Sequence, residues 1–487
     1  MNRAVRSPAG GAAVPLAVVV GAIVLGQLIG LTGPQHKAIE APVQLQAGIY
    51  GLISAVFASG IVLVYRATRI INFAHAAFGV FASVLFLLLT VVWRWNFWLA
   101  FAATLAAAAV LGGLVEVLII RRFAHAPRLV LTVATIAVAQ LIAGFSTVAS
   151  GTGTDVEFGP LPRLFGLEDG VAAPNQVATT PFTDSRFEMF PVVFRGHHLL
   201  AVALVVLVLL GIAAFFRFTD AGIAIRGAAE NEDRASLLGI NTSGLSALVW
   251  VMAAAMSGLA TVLLLPLDST SLTTVSTGIG GAVLLRALAA AVLGRMENLP
   301  VTAAAAVGIA IVERSVFWAY SQTPIVDAAL LALILAALLV QRRRLARTEE
   351  SISGTWAATE EVRAIPAEMR DLPIVRRGRR RAIVLGTIVV LGYPWVMSPT
   401  QTNLGGVYAI FGIIAVSLVV LTGWGGQISL GQFAFVAIGA AVGGSATAEW
   451  GLPFPVAILL GSLAAAGGAV VLGLPAWRIN GLYLAVT

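Results

Sequence analysis

The hydrocarbon core of a bilayer is about 30 Å thick, and a helix needs about 20 predominantly apolar residues to cross it. This chain supplies runs of that length one after another. They lie near 14–31, 48–65, 70–92, 97–120, 129–150, 198–217, 244–265, 279–294, 300–320 and 325–341 and, after a polar gap, near 382–398, 403–422, 428–448 and 454–475. The run at 279–294 is short for a span. In lipid every backbone N–H and C=O must be satisfied within the segment, so apolar runs of this length are read as helices. The expected fold is an all-α polytopic membrane protein with about fourteen transmembrane helices. Composition agrees, because only 11% of the 487 residues are charged, where a soluble protein carries about a quarter.

Charge sets the orientation. The formal net charge is +7, Lys37 is the only lysine, and there is no cysteine. Disulfides, thiol nucleophiles and Cys-based metal sites are therefore excluded. With a cytoplasmic N-terminus, the inside loops hold Arg3, Arg6, Arg66, Arg69, Arg121, Arg122, Arg128, Arg217, Arg226, Arg234, Arg295, the arginine cluster between 342 and 381, and Arg478. The outside loops hold only Lys37, Arg94, Arg163, Arg186 and Arg195. Such asymmetry follows the positive-inside rule, and one missed helix would invert every later loop. The basic balance thus reports topology and not nucleic-acid binding. The first run exceeds the apolar region of a signal peptide, about 7–15 residues, and is read as a retained helix.

Three polar regions punctuate the chain. About 150–198 is outside and rich in Gly, Pro and Thr, either a solvated loop or a docking surface for an external partner. About 218–243 is inside, and its mixture of Ala, Leu and charge over Arg226–Asn241 predicts a short helix ending at Gly239. The third, 342–381, is a basic cytoplasmic linker suited to anionic headgroups.

The chain also resembles itself. An offset of 357 residues carries Ile71 onto Ile428, Phe73 onto Leu430, His75 onto Gln432, Phe78 onto Phe435 and Arg121 onto Arg478. Long-period similarity in an apolar chain points to two copies of one membrane unit. Both copies carry their basic turns on the same side, so the repeats are expected in parallel orientation.

Ile71-Asn72-Phe73-Ala74-His75, the segment Arg226–Asn241 and Leu288-Ala-Ala-Ala-Val-Leu-Gly294 together resemble the H-type permease subunit of branched-chain amino-acid ABC importers. Gly425-Gly-Gln427-Ile-Ser429-Leu-Gly431-Gln432 and Gly473–Leu484 resemble its M-type partner. The resemblance implies four parts: an extra N-terminal helix over 1–43, an H-type repeat over 44–341, the linker over 342–381, and an incomplete M-type repeat over 382–487. There are departures from the family. Gln432 stands where the M-type subunit has His, and Arg295-Met-Glu297-Asn298 replaces a Gly-rich turn. The counterpart of 131–341 is expected to follow Thr487 in the intact protein or to sit on a partner chain.

The resemblance further implies import of branched-chain amino acids across the bacterial plasma membrane. The partners would be two cytoplasmic ATPase subunits, which bind ATP and Mg, and an extracytoplasmic solute-binding protein. No cofactor or metal is expected in this chain: a phosphate-binding P-loop needs Gly-Lys-Ser/Thr, and Lys37 is on the wrong side. Arg226, Glu230, Asn231, Arg234 and Gly239 would form the ATPase-coupling segment. Asn72, His75, Gln427, Ser429 and Gln432 either line the pathway or hydrogen-bond across helices. Glu116, about one turn from Arg121, is expected either to snorkel or to pair near the cytoplasmic interface. Arg286, Glu313 and Arg314 lie within apolar spans, where charge is costly, and a structural Arg–Glu contact is expected there. Rival readings are an ABC permease for urea or short amides and an ATPase-independent secondary transporter.

Overall fold

The computed structural model describes residues 8–34, 36–123, 126, 128–150, 180–182, 185–230, 232–268, 279–345, 372–421 and 431–476. The chain divides into two compact units, Met1–Leu338 and Leu339–Thr487.

The first unit contains α1 Pro8–Thr32, α2 Ala41–Thr68, α3 His75–Leu87, α4 Phe97–Leu118 and α5 Arg128–Ser150. A two-stranded antiparallel hairpin follows, β1 Arg186–Met189 with β2 Val192–Arg195, within the polar region 150–198. Then come α6 Gly196–Phe218, α7 Asp220–Glu230, α8 Glu232–Leu237, α9 Thr242–Leu264, α10 Ile279–Leu293, α11 Leu299–Tyr320 and α12 Thr323–Leu345. Side-chain caps define several starts. Asn96, Asn241 and Asn298 each place Oδ1 within hydrogen-bond reach of a first-turn N–H, that of Trp98 (3.0 Å), Gly244 (2.9 Å) and Val301 (3.2 Å), so one otherwise orphaned donor is met at each.

Helix α2 is the centre of this unit, buried almost continuously from Gly51 to Tyr65. It packs against α11, α9 and α10, while α9 also packs on α3 and α4. Small residues set these close approaches. A Cβ on Gly51 would stand 2.5 Å from Val307 Cα, and one on Gly112 would stand 2.5 Å from Ala254 Cβ. Dispersion at such backbone-close crossings holds helices together where lipid offers no hydrophobic drive. The outer helices keep apolar side chains exposed, for example Leu207 and Leu210 on α6, as a lipid-facing wall requires.

The second unit contains α13 Pro373–Val396, α14 Pro399–Val419, α15 Gln432–Ala448 and α16 Phe454–Ala476. Ser398 and Gln401 form a capping box at the start of α14. Gly439, Gly443 and Gly461 let α15 and α16 meet backbone to backbone.

Among the described residues, eight helices are long and apolar enough to cross a membrane: Ala13–Thr32, Ala41–Thr68, Phe97–Phe123, Gly196–Phe218, Thr242–Leu264, Leu299–Tyr320, Pro399–Val419 and Phe454–Val471. Shorter apolar helices cover His75–Val91, Val130–Ser146, Val283–Leu293, Thr323–Ala336 and Gln432–Ala448. Three expectations are corrected. The run at 70–92 is not one helix, because residues 69–74 are unwound and α3 begins only at His75. The helix expected over Arg226–Asn241 begins earlier, at Asp220, and α7 and α8 flank Asn231, which lies outside the described residues. The span expected at 382–398 belongs to a helix that starts at Pro373 and carries Arg376, Arg377, Arg379, Arg380 and Arg381 in its first turns. Hydropathy had placed that boundary where charge stopped and not where hydrogen bonding began.

Candidate functional site

The break between α2 and α3 is the most buried irregular segment described. Ile70, Ile71, Asn72, Phe73, Ala74 and His75 are all buried, so their backbone polar groups need partners inside the protein. Asn72 Oδ1 accepts from the Ala74 N–H at 3.0 Å. Thr135, on α5, accepts from the Phe73 N–H at 3.1 Å while its own hydroxyl lies 2.7 Å from Thr132 O. His75 then opens α3, its ring edge-on to Phe57 with centroids 4.5 Å apart and Nε2 2.9 Å from Phe57 O. Gly60 makes this possible, since a Cβ there would stand 2.5 Å from His75 Cε1.

Helix α9 secures the other side. Ser257 Oγ donates to His75 O at 2.5 Å, and Thr261 Oγ1 lies 2.9 Å from Gly79 O. Among the described residues, Asn72 Nδ2 and His75 Nδ1 in this core stay without a partner. Asn72 and His75 are therefore both held in this core, His75 by a hydrogen bond to the neighbouring helix. Thr135, Ser257 and Thr261 were missed. A hydroxyl in an apolar helix usually bonds its own backbone one turn back, and nothing in their spacing distinguishes these three. The available signal was Asn72 beside Arg69 in an otherwise apolar run.

The second cluster lies at the expected cytoplasmic end. Arg69 is the C-cap of α2, in left-handed conformation with φ 55°, its N–H bonded to Tyr65 O. Its guanidinium reaches two other elements: Nη1 lies 3.1 Å from Glu297 Oε1, and Nη2 lies 3.0 Å from Ala229 O in the last turn of α7. A cleft of about 680 Å³ surrounds this contact, lined by Arg66, Arg226, Glu230 and Arg295 among others. A second, of about 370 Å³, is lined by Ile70, Glu116, Arg121, Ile225 and Ser243 among others. There Glu116, with 3% of its side chain exposed, pairs with Arg121 at 3.0 Å, and Arg121 Nη2 also reaches Ser243 O at 3.3 Å. Arg226, Glu230 and Arg234 are exposed, and Gly239 ends the segment at φ 81°. Only glycine adopts that conformation without strain.

A third group lies toward the opposite ends of α2 and α11. Arg286 pairs with Glu313 at 2.7 Å, and Arg314 Nη2 donates to Gln46 Oε1 at 3.0 Å. The expected Arg–Glu contact is thus Arg286–Glu313, with Arg314 turned to Gln46. In the second unit Gln432 Nε2 donates to Ser417 Oγ at 2.7 Å, joining α15 to α14. Gln427 and Ser429 lie outside the described residues.

Chemically, the break presents buried hydrogen-bonding groups with spare capacity inside an apolar bundle, next to a charged rim. Residues 45–338 match the family described as branched-chain amino acid transport system / permease component. The high-affinity branched-chain amino acid transport system permease protein LivH of Escherichia coli strain K12 is 28% identical over 298 residues, covering 60% of this chain and 90% of that protein. Its counterpart from Salmonella typhimurium strain LT2 is 27% identical over the same length.

Proposed function

Because this multi-pass membrane protein belongs to the branched-chain amino acid transport system permease family, we propose that it forms the translocation path of an ABC importer for branched-chain, hydrophobic amino acids. Energy comes from ATPase subunits on separate polypeptides, and substrate arrives from an extracytoplasmic solute-binding protein. The N-terminus is cytoplasmic, and α7–α8 is the segment that the ATPase grips. The two repeats run parallel about an axis normal to the membrane, with about fourteen spans in this chain.

The observation that carries the reading is the buried break at 69–74 together with the match over 45–338. Discontinuous helices place unsatisfied polar groups in the middle of a bundle, a recurring way to build a solute path. The arginine distribution supports the orientation. Asn72 and His75 are proposed to line the path, with Gln427, Ser429 and Gln432 at the matching positions of the second repeat.

The test is uptake of labelled leucine into vesicles holding the intact transporter with its ATPase and binding protein. Uptake is expected to require ATP and to be competed by isoleucine and valine. Uptake driven by an ion gradient without ATP would mark a secondary transporter. Competition by urea or acetamide instead would move the substrate class.

A further inference from the structure

We propose that Arg69 is the positioning residue through which movement of the cytoplasmic segment reaches the buried break and His75. The inference rests on the reading of α7–α8 as the element gripped by the ATPase.

Arg69 belongs to two structures at once. Its backbone is the first residue of the break, turned left-handed where α2 stops, a conformation that a non-glycine residue keeps only while its surroundings hold it. Its side chain is fixed outside the break. One end of the fork holds Glu297, in the turn between α10 and α11, and the other holds Ala229 O. That carbonyl lies on α7, within the segment read as the docking element. Among the described residues, the Arg69–Ala229 contact is the only hydrogen bond between α7 and residues 41–75.

The surroundings favour this contact as the load path. The clefts of about 680 Å³ and 370 Å³ on its two sides leave α7 room to shift. Ile70 and Ile225 line the smaller one, and apolar side chains can slide past each other, whereas a planar guanidinium fork constrains direction as well as distance. Beyond Arg69 the chain has little slack. Phe73 and Ala74 are tied by Thr135 and Asn72, and His75 is tied at its ring and its carbonyl. A displacement of the guanidinium is therefore passed along the break to His75 rather than absorbed.

The test uses the complete transporter with ATPase and binding protein in nanodiscs, comparing Arg69→Gln, Arg69→Lys, Glu297→Gln and Arg234→Glu. Arg69→Gln is expected to retain the ATPase on purification and to keep basal hydrolysis, while leucine imported per ATP falls at least tenfold. Arg69→Lys keeps the charge but not the fork, and is expected to fall between the two; if Arg69→Gln fails to assemble, the lysine variant decides. Glu297→Gln leaves the Ala229 bond in place and is expected to stay within twofold of the parent. A loss there equal to that of Arg69→Gln would route the load through the α10–α11 turn and overturn the proposal.

A conformational readout separates coupling from mere stability. The chain has no cysteine, and Ala74 is fully buried, so Ala74→Cys reports opening of the break. Its maleimide labelling is expected to rise at least fivefold on vanadate trapping, and Arg69→Gln is expected to abolish that rise. A preserved rise together with unchanged import per ATP would overturn the proposal. Arg234→Glu tests the premise separately. Intact ATPase capture and stimulation in that variant would remove the docking segment, whatever Arg69 does.

Discussion

The Nε2 atom of His75 lies 2.9 Å from the carbonyl oxygen of Phe57 on the neighbouring helix. A carbonyl only accepts, so this nitrogen carries the hydrogen and Nδ1 is left as a bare acceptor, without a partner in a fully buried ring. The histidine is thus a bolt between α2 and the break, with one unused acceptor facing the core.

Gly60→Ala is expected to withdraw that bolt. The added methyl would stand 2.5 Å from Cε1 and 2.9 Å from Nε2 of His75, so the ring must move off Phe57. Overpacking of this kind costs about 1–3 kcal/mol, read as a lower melting temperature in detergent and reduced leucine uptake. Gly48→Ala, where nothing lies within 4 Å, serves as the neutral comparison. Equal behaviour of the two variants would show that the ring is free to move.

Thr135→Val is expected to leave the Phe73 N–H buried without an acceptor. That loss costs about 1–3 kcal/mol, and Thr135→Ser should recover most of it because the hydroxyl returns. Thermal unfolding of the two variants checks this; a valine variant as stable as serine would mean that Phe73 finds another acceptor.

Arg121→Leu is expected to destabilise more than Glu116→Gln. Glu116 is 3% exposed and Arg121 is 42% exposed, so removing the arginine strands a buried carboxylate, while removing the carboxylate strands a group that water can reach. Solvent screening places the cost of Arg121→Leu at about 1–3 kcal/mol, below the 3–5 kcal/mol of a fully buried pair. The double variant should recover part of the loss. A double-mutant cycle with no coupling energy would remove the pair from the account.

Arg234→Glu, on exposed α8, is expected to abolish substrate-stimulated ATP hydrolysis while membrane insertion persists. Stimulation at the parental level in that variant would dissolve the docking assignment.

Many of the helices were legible in the sequence because bilayer-length apolar runs are local. A structural Arg–Glu contact among Arg286, Glu313 and Arg314 was expected because isolated charges in apolar spans are costly, but which arginine makes it, and whether Glu116 pairs with Arg121 or snorkels, depended on the packing. The break was not legible, since Ile70-Ile71-Asn72-Phe73-Ala74 is nearly as apolar as a continuing helix. The hairpin Arg186–Arg195 was missed because its strands are only four residues each, too short for a period-2 pattern to stand out. Arg69 was counted as one more inside arginine, and its two partners could not be anticipated.

By itself, then, the sequence determined the solvent this protein lives in, the rough extent of its helices and which loops carry positive charge. Those properties add residue by residue, so no neighbour is needed to evaluate them. Tertiary structure alone decided that α2 ends at Arg69 and that Ser257 holds His75 from 182 residues away. Hydrogen bonds depend on ångström-scale placement, and that placement is set by how glycine-lined helices cross, a relation no single segment contains.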